Sequence, residues 1–266
     1  MTAGAIRVGI GGWDYAPWRE TFYPPKLPKA KQLEHAARQV TAIEINATYY
    51  KLQSPELYAR WAKAVPDGFR FALKGSRYCS NRRVLGEAEE AIARFCSQGF
   101  TELGDRLGPI VWQLMATKKF DPDDMRAFLA LLPREVAGVK LSHAIEARHE
   151  SFRDPAFVDM ARAAGVAIVF GDGGEFPCFA DLSGDIAYAR LMGARSEEPT
   201  GYSPAELDRW AEIARAWSAG ESPPGLPYTA DPAPPQPRDT YVFMIDGAKE
   251  RAPAAAMALL DRLRAA

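Results

Sequence analysis

Eight short apolar runs recur along the chain, and all but one are followed by a segment of helical period. That alternation constrains the fold more than any other feature, because strands separated by helices pair in parallel. The runs are IRVGIGG (6–12), AIEIN (42–46), FRFALK (69–74), GPIVWQL (108–114), AGVKLSHAIEA (137–147), VAIVFGD (166–172), DIAYARLMG (185–193) and TYVFMID (240–246). Helical patterns occupy 33–40, 54–65, 86–100, 121–132, 154–165, 203–220 and 253–265. Their ends carry the expected punctuation: Ser54 before Pro55, acids in the first turn after Asp121, and Gly165 just past a last turn. The sixth run is followed only by a short irregular segment, 173–184. Eight such units in 266 residues predict an α/β chain folded as one (β/α)8 TIM-barrel-like domain over residues 1–266. An open doubly wound sheet is the rival and differs in strand order, which the sequence does not display. The stretch ESPPGLPYTADPAPPQPRD (221–239) excludes helix and central strand and predicts a long mobile connection before the last strand.

Charge and cysteine usage narrow the function classes. The formal net charge of −1 provides no global basic field for non-specific nucleic-acid binding. Cys79, Cys96 and Cys178 show no CxxC spacing and leave one unpaired, which points to a reducing compartment. The N-terminal MTAGAIRVGIGGW has no basic region before a long apolar run, and no segment reaches the roughly 18 apolar residues of a membrane span. A cytoplasmic protein without membrane attachment is expected.

In a barrel the site lies at the C-terminal ends of the strands, and side chains two apart share a face. Those ends supply Glu44 and Asn46, Lys74, Gln113, Glu146 and Arg148, Asp172, Tyr188 and Arg190, and Asp246. Polar groups at so many corresponding positions point to a shared charged pocket. The competing account is a structural network in which Glu44, Glu146 and Asp172 neutralise Lys74, Arg148 and Arg190. The two are compatible, because ion networks that perturb pKa values also build active sites.

The stretches GIGGWDYAPWRETFYP (9–24), IEINATYYKLQSPE (43–56), FRFALKGSRY (69–78), LGPIVWQL (107–114), EARHESF (146–152), GD (171–172) and YARLMG (188–193) together resemble the YecE-like family, a domain of unknown function. The resemblance runs over about residues 6–262. It implies a TIM-barrel-like fold with a polar pocket at the strand ends, and no established reaction. Kinship with sugar isomerases and an apurinic endonuclease family is a fold-level analogy. The family pattern often places His where Asn81 and Met192 stand, and an Asn pair where Met244 and Ile245 stand. These departures remove polar groups from the rim, which fits a divergent subgroup with its own ligand and equally a loss of activity.

The chemistry of the candidate residues favours an anionic small molecule. Lys74, Arg148 and Arg190 come from three strands, and Lys249 follows Gly247 beyond the last strand, where barrels commonly bind phosphate. Arg148 suits a bidentate clamp. Glu146 or Asp172 is the candidate general base, with Lys74 as acid, electrostatic stabiliser or Schiff-base amine. His149, Trp13, Tyr50, Asn46, Gln113, Glu44 and Arg190 complete the candidate binding set. The loop 11–25, aromatic and proline-bounded, suits a lid. No motif names a cofactor. The three histidines, His35, His143 and His149, are too few for a multinuclear zinc site. A single oxygen-rich site from Glu44, Glu146 and Asp172, with or without His149, could hold Mg²⁺ or Mn²⁺. The leading expectation is a hydrolase, lyase or isomerase acting on an anionic sugar- or phosphate-bearing molecule. The alternatives are a nucleic-acid binding or processing protein and a non-catalytic ligand-binding protein.

Overall fold

The computed structural model describes residues 2–265. Eight parallel strands close into a barrel in the order β1-β10-β9-β8-β7-β4-β3-β2. They are β1 (Ile6–Gly11), β2 (Ala42–Ile45), β3 (Arg70–Lys74), β4 (Leu107–Gln113), β7 (His143–Glu146), β8 (Ala167–Gly171), β9 (Ile186–Leu191) and β10 (Asp239–Met244). A two-stranded antiparallel hairpin, β5 (Glu135–Val136) and β6 (Val139–Lys140), lies outside the barrel. Closure removes the open-sheet rival.

The expected fifth strand, 137–147, is therefore two elements. Ala137 and Gly138 both adopt positive φ, at 49° and 79°, and turn the chain between β5 and β6 before the barrel strand begins at His143. The other expected strands fall within a few residues of the observed ones. Helix starts follow their caps: Ser54, Asp121, Asp154 and Ser203 each accept a backbone N–H with Pro at the first position. Ser203 and Glu206 form a full capping box. Gly165 and Gly220 close their helices in the left-handed region. The expected helix over 86–100 is shorter, with its α-helical part at Glu89–Cys96.

Alternation along each strand splits the core in two. One set (Ala42, Ala72, Val111, Ala144, Val169, Tyr188, Tyr241 and Phe243) packs together inside the barrel, and the larger set packs between strands and helices. The inner packing is lopsided. Small residues from β2, β3 and β7 leave room that Tyr188, Tyr241 and Phe243 fill, with Tyr241 and Phe243 stacked at an interplanar angle of 14°. The inward phase of each strand decides which terminal side chains point into the mouth.

Two segments are held more firmly than their composition suggests. The 221–239 connection carries no helix or strand over 221–238, β10 beginning at Asp239, and it is pinned. Asp181 accepts from the backbone N–H groups of Thr229 and Ala230, and Arg238 Nε donates to the Gly184 carbonyl at 2.9 Å. The 11–25 loop is docked rather than free to act as a lid. Trp18 is fully buried with its indole N–H on the Lys249 carbonyl at 2.9 Å, and the Tyr23 hydroxyl donates to the Trp13 carbonyl. No helix among the described residues is long and apolar enough to cross a membrane.

Gly75, just after Lys74, marks the tightest approach near the site. A Cβ there would stand 2.2 Å from Trp112 Cε3, in a ring wedged between Phe95, Phe128 and His143. Gly75→Ala is expected to cost about 1–3 kcal/mol by overpacking, measured as a lowered urea midpoint at unchanged slope.

Candidate functional site

Inward-facing Ala42, Ala72, Ala144 and Tyr188 place the residues two positions on, Glu44, Lys74, Glu146 and Arg190, at the C-terminal mouth of the barrel. Arg190 is the hub. Its Nε and Nη2 donate to the two oxygens of Glu44, each at 3.1 Å, and its Nη1 donates to Glu146 Oε1 at 2.7 Å. Tyr188 donates its hydroxyl to Glu44 Oε2 at 2.7 Å. Arg148 Nη2 donates to Glu146 Oε1 and to Gln113 Oε1, both at 2.9 Å. Six residues read from the strand ends, Glu44, Gln113, Glu146, Arg148, Tyr188 and Arg190, thus form one hydrogen-bonded chain.

Burial sets the energetics. Glu44 is 0 % exposed, Arg190 2 % and Glu146 4 %. Charges removed from water this thoroughly persist only when paired and hydrogen-bonded. Burial pushes the Glu146 carboxyl up, but Arg190, Arg148 and Lys74 more than offset it and hold it below its ordinary value. For Tyr188, burial and then Glu44 both push the phenol well up, so it stays a donor. The charged mouth is consequently plugged by its own side chains, a denser arrangement than the open pocket the sequence suggests.

Lys74 differs from its neighbours. It is 8 % exposed, and among the described residues its ammonium has no hydrogen-bond or carboxylate partner. It lies over the Tyr49 ring, 4.7 Å from the centroid. Burial and then Arg190 push its pKa down from 10.5 to about 8, against the pull of Glu44 and Glu146. Within the same cluster, Glu146 Oε2 and Arg148 Nε are buried without a hydrogen-bond partner among the described residues. With two carboxylates against two guanidiniums, the protonated Lys74 is the uncompensated charge of the cluster.

Other predicted residues are elsewhere. Val169 faces the barrel interior and Phe170 the outer layer, so Asp172 falls on the outward phase of β8. There it accepts from the backbone N–H groups of Met192 and Gly193 and from the Tyr202 hydroxyl, and burial raises its pKa despite those bonds. His149 caps the turn at 150–152 by accepting from Ser151 N. The oxygen-rich metal set of Glu44, Glu146, Asp172 and His149 is therefore not assembled: Arg190 bridges the first two, and the others have separate tasks. No group of three or more His, Cys, Asp or Glu suited to a metal occurs among the described residues. His143, at the N-terminal end of β7, is structural, accepting from Trp112 and bonding the Pro133 carbonyl.

The rim residues also disperse. Trp13 packs edge-on against Trp61 and Phe71, outside the barrel. Lys249 sits over the Tyr15 ring, 5.0 Å from its centroid, rather than beside the cluster. Tyr50 is an exposed rim group packed edge-on against Tyr49. Asn46 is half-buried beside Gly11, whose Cβ would lie 3.5 Å from its amide nitrogen. Of the family departures, Asn81 donates to the Tyr49 hydroxyl and Met244 is core, whereas Ile245 packs against the barrel-interior cluster. Phe176, which sequence reading did not single out, lies over the Arg148 guanidinium at 4.3 Å. It comes from the irregular segment after β8, where no periodicity could have flagged it.

Three comparisons place this architecture among known proteins. A family model described as "Protein of unknown function DUF72" matches residues 7–266. The UPF0759 protein YecE of Escherichia coli (strain K12) is 29 % identical over 150 residues, covering 55 % of this chain and 50 % of that protein. The chain thus spans about half the length of the curated relatives it matches. Among solved structures, a DUF72 family protein from Thermotoga maritima MSB8 superposes with a TM-score of 0.70 at 22 % identity, covering 98 % of both chains. Another, from Enterococcus faecalis V583, gives 0.72 at 17 % identity over 97 % of this chain and 95 % of that one. At such identities the likeness is one of fold.

Proposed function

The chain belongs to the DUF72 protein family, and on that premise we propose that its barrel mouth is the active site of a hydrolase, lyase or isomerase for a small hydroxylated anion, such as a sugar phosphate or sugar acid. One observation carries the reading: the ammonium of Lys74, a residue only 8 % exposed, has no hydrogen-bond or salt-bridge partner among the described residues, in a cluster where Glu146 Oε2 and Arg148 Nε are also unpartnered. An anionic group accepts from Lys74 and Arg148, and a neighbouring hydroxyl donates to Glu146.

The protonation states suit proton transfer. Glu146, held below the ordinary carboxylate range, is the base at neutral pH. Lys74, at about 8, is the acid, with a pKa close enough to neutrality to give up its proton. Arg190 and Glu44, buried and mutually bonded, are positioning residues that hold Glu146. Asp172 holds the 192–193 turn and has no part in the proton transfer. Gln113 and Phe176 fix the Arg148 guanidinium between them, and Asn46 extends the polar rim. His149, Trp13 and Lys249 act outside this centre.

A thermal-shift panel of sugar phosphates, sugar acids and inorganic phosphate tests the reading. A ligand at about 100 times its Kd should stabilise by ~2.7 kcal/mol, a Tm rise of roughly 5–10 °C for this size. In Arg148→Ala that rise should vanish while the unliganded Tm falls only slightly, since Glu146 retains Arg190. A flat panel, or ligand shifts that survive the substitution, would remove the mouth as the binding site.

A further inference from the structure

Beside the mouth, across Tyr49, a groove of about 540 Å³ opens on the same face of the barrel. Its walls include Tyr50, Ser76, Tyr78, Arg82 and Arg94. Tyr50 and Tyr78 are each 62 % exposed, the two most exposed large apolar side chains among the described residues. The Arg77 guanidinium stands within reach of both rings, 6.0 Å from the Tyr50 centroid and 5.4 Å from that of Tyr78. Two exposed rings on either side of one guanidinium present apolar faces that the core does not use.

The groove continues through Arg82 into a second hollow of about 510 Å³, which Arg83, Lys118 and Lys119 also line. Together the two hollows present six Lys or Arg side chains against two carboxylates, Glu90 and Asp121. Asp121 is already committed to capping its helix. Lys118 is paired with Asp124. Arg82 is anchored by its donations to the carbonyls of Tyr78 and Glu87, which fix the guanidinium without neutralising it. Lys51, Arg77, Arg83, Arg94 and Lys119 are exposed and make no salt bridge among the described residues. In a chain of net charge −1 this is a local positive track.

We infer that this track is a binding site for a single strand of nucleic acid, with bases stacked on Tyr50 and Tyr78 and phosphates running past Arg82, Arg83 and Lys119. Rings alternating with cations match the alternation of bases and phosphates along a single strand. A duplex buries its base faces and leaves the rings unused. An acidic peptide would use the cations and leave the rings idle. The site is separate from the Lys74 cluster, so its success or failure leaves the small-anion reading of the mouth unchanged.

Fluorescence anisotropy with labelled oligothymidylate and oligouridylate tests it, with a poly-glutamate peptide and anionic lipid vesicles as competitors. The expected result is binding whose log Kd rises with log salt at a slope of ~2, about 0.7 for each of the three cations set against phosphates. Tyr78→Ala should weaken it about tenfold at unchanged slope, as stacking on one base requires. Arg83→Ala should lower the slope by about 0.7. Lys74→Met should leave the affinity unchanged. Both Tyr78 and Arg83 are exposed, and matching thermal melts confirm that the variants fold. No binding at low salt overturns the proposal. So does binding that Tyr78→Ala does not weaken, or displacement by the peptide or vesicles as readily as by unlabelled strand.

Discussion

Lys74→Met is expected to make the protein more stable while abolishing its affinity for small anions. The ammonium's pKa falls from 10.5 to about 8 on folding, chiefly through burial and then Arg190. At about 1.4 kcal/mol per pH unit, that fall is a folding penalty on the order of 3 kcal/mol. The sign follows from proton binding. Below about pH 8 both states hold the proton and the penalty is fully present. Between about 8 and 10.5 the unfolded chain holds more protons, so the wild type gains stability as pH rises. Methionine fills nearly the same volume without charge and forfeits the contact with Tyr49, worth about 1 kcal/mol. The net gain at neutral pH is then on the order of 2 kcal/mol, read from urea unfolding, and it should shrink toward pH 10. Anion binding by the wild type should weaken as pH passes 8, and the variant should show neither the binding nor that pH dependence. If Lys74→Met destabilises the fold instead, the lysine is a structural partner of Glu44 and Glu146, and the proposed site loses its central charge.

Arg190→Met is expected to have the opposite effect and the larger one. Among the described residues the guanidinium is the one group that bridges Glu44 and Glu146, and both carboxylates are essentially inaccessible. Without it Glu44 retains only the Tyr188 hydroxyl, and Glu146 retains Arg148. Removing one partner of a buried pair costs about 3–5 kcal/mol, because the remaining charge is stranded. That is a large share of a typical domain's 5–15 kcal/mol. The check is a urea or thermal midpoint at pH 7, with Glu44→Gln added to the Arg190→Met background. Neutralising the stranded carboxylate should recover part of the loss. A single variant as stable as the wild type would mean that water enters the mouth freely and the network is not desolvated.

These two residues act in opposite senses because they answer different demands. Arg190 is satisfied within the fold and stabilises it. Lys74 has no hydrogen-bond or salt-bridge partner among the described residues and is held at a cost in stability.

Much of this was legible before folding. The alternation of apolar runs with capped helices determined the eight-stranded barrel, and the i, i+2 rule placed Glu44, Glu146 and Arg190 at the strand ends. Where the reading fell short, the cause was phase. In VAIVF (166–170) both faces are apolar, so nothing in the run reveals that Val169 looks inward and that Asp172 must look out. Buried parallel strands erase the polar–apolar alternation that would otherwise report their orientation. The positive φ values of Ala137 and Gly138, which divide the expected fifth strand, likewise come from packing that no local pattern announced.

Composition and periodicity thus determined the architecture and the ring on which the chemistry had to lie, because hydrophobic period is a local property of the chain. Only the tertiary structure decided which ring members meet. It closed Arg190 onto two carboxylates, turned Asp172 and Lys249 away, left Lys74 without a salt-bridge partner among the described residues, and brought Arg77 near both Tyr50 and Tyr78. Those outcomes depend on strand register and on what fills the barrel, which are settled by contacts between residues far apart in the chain.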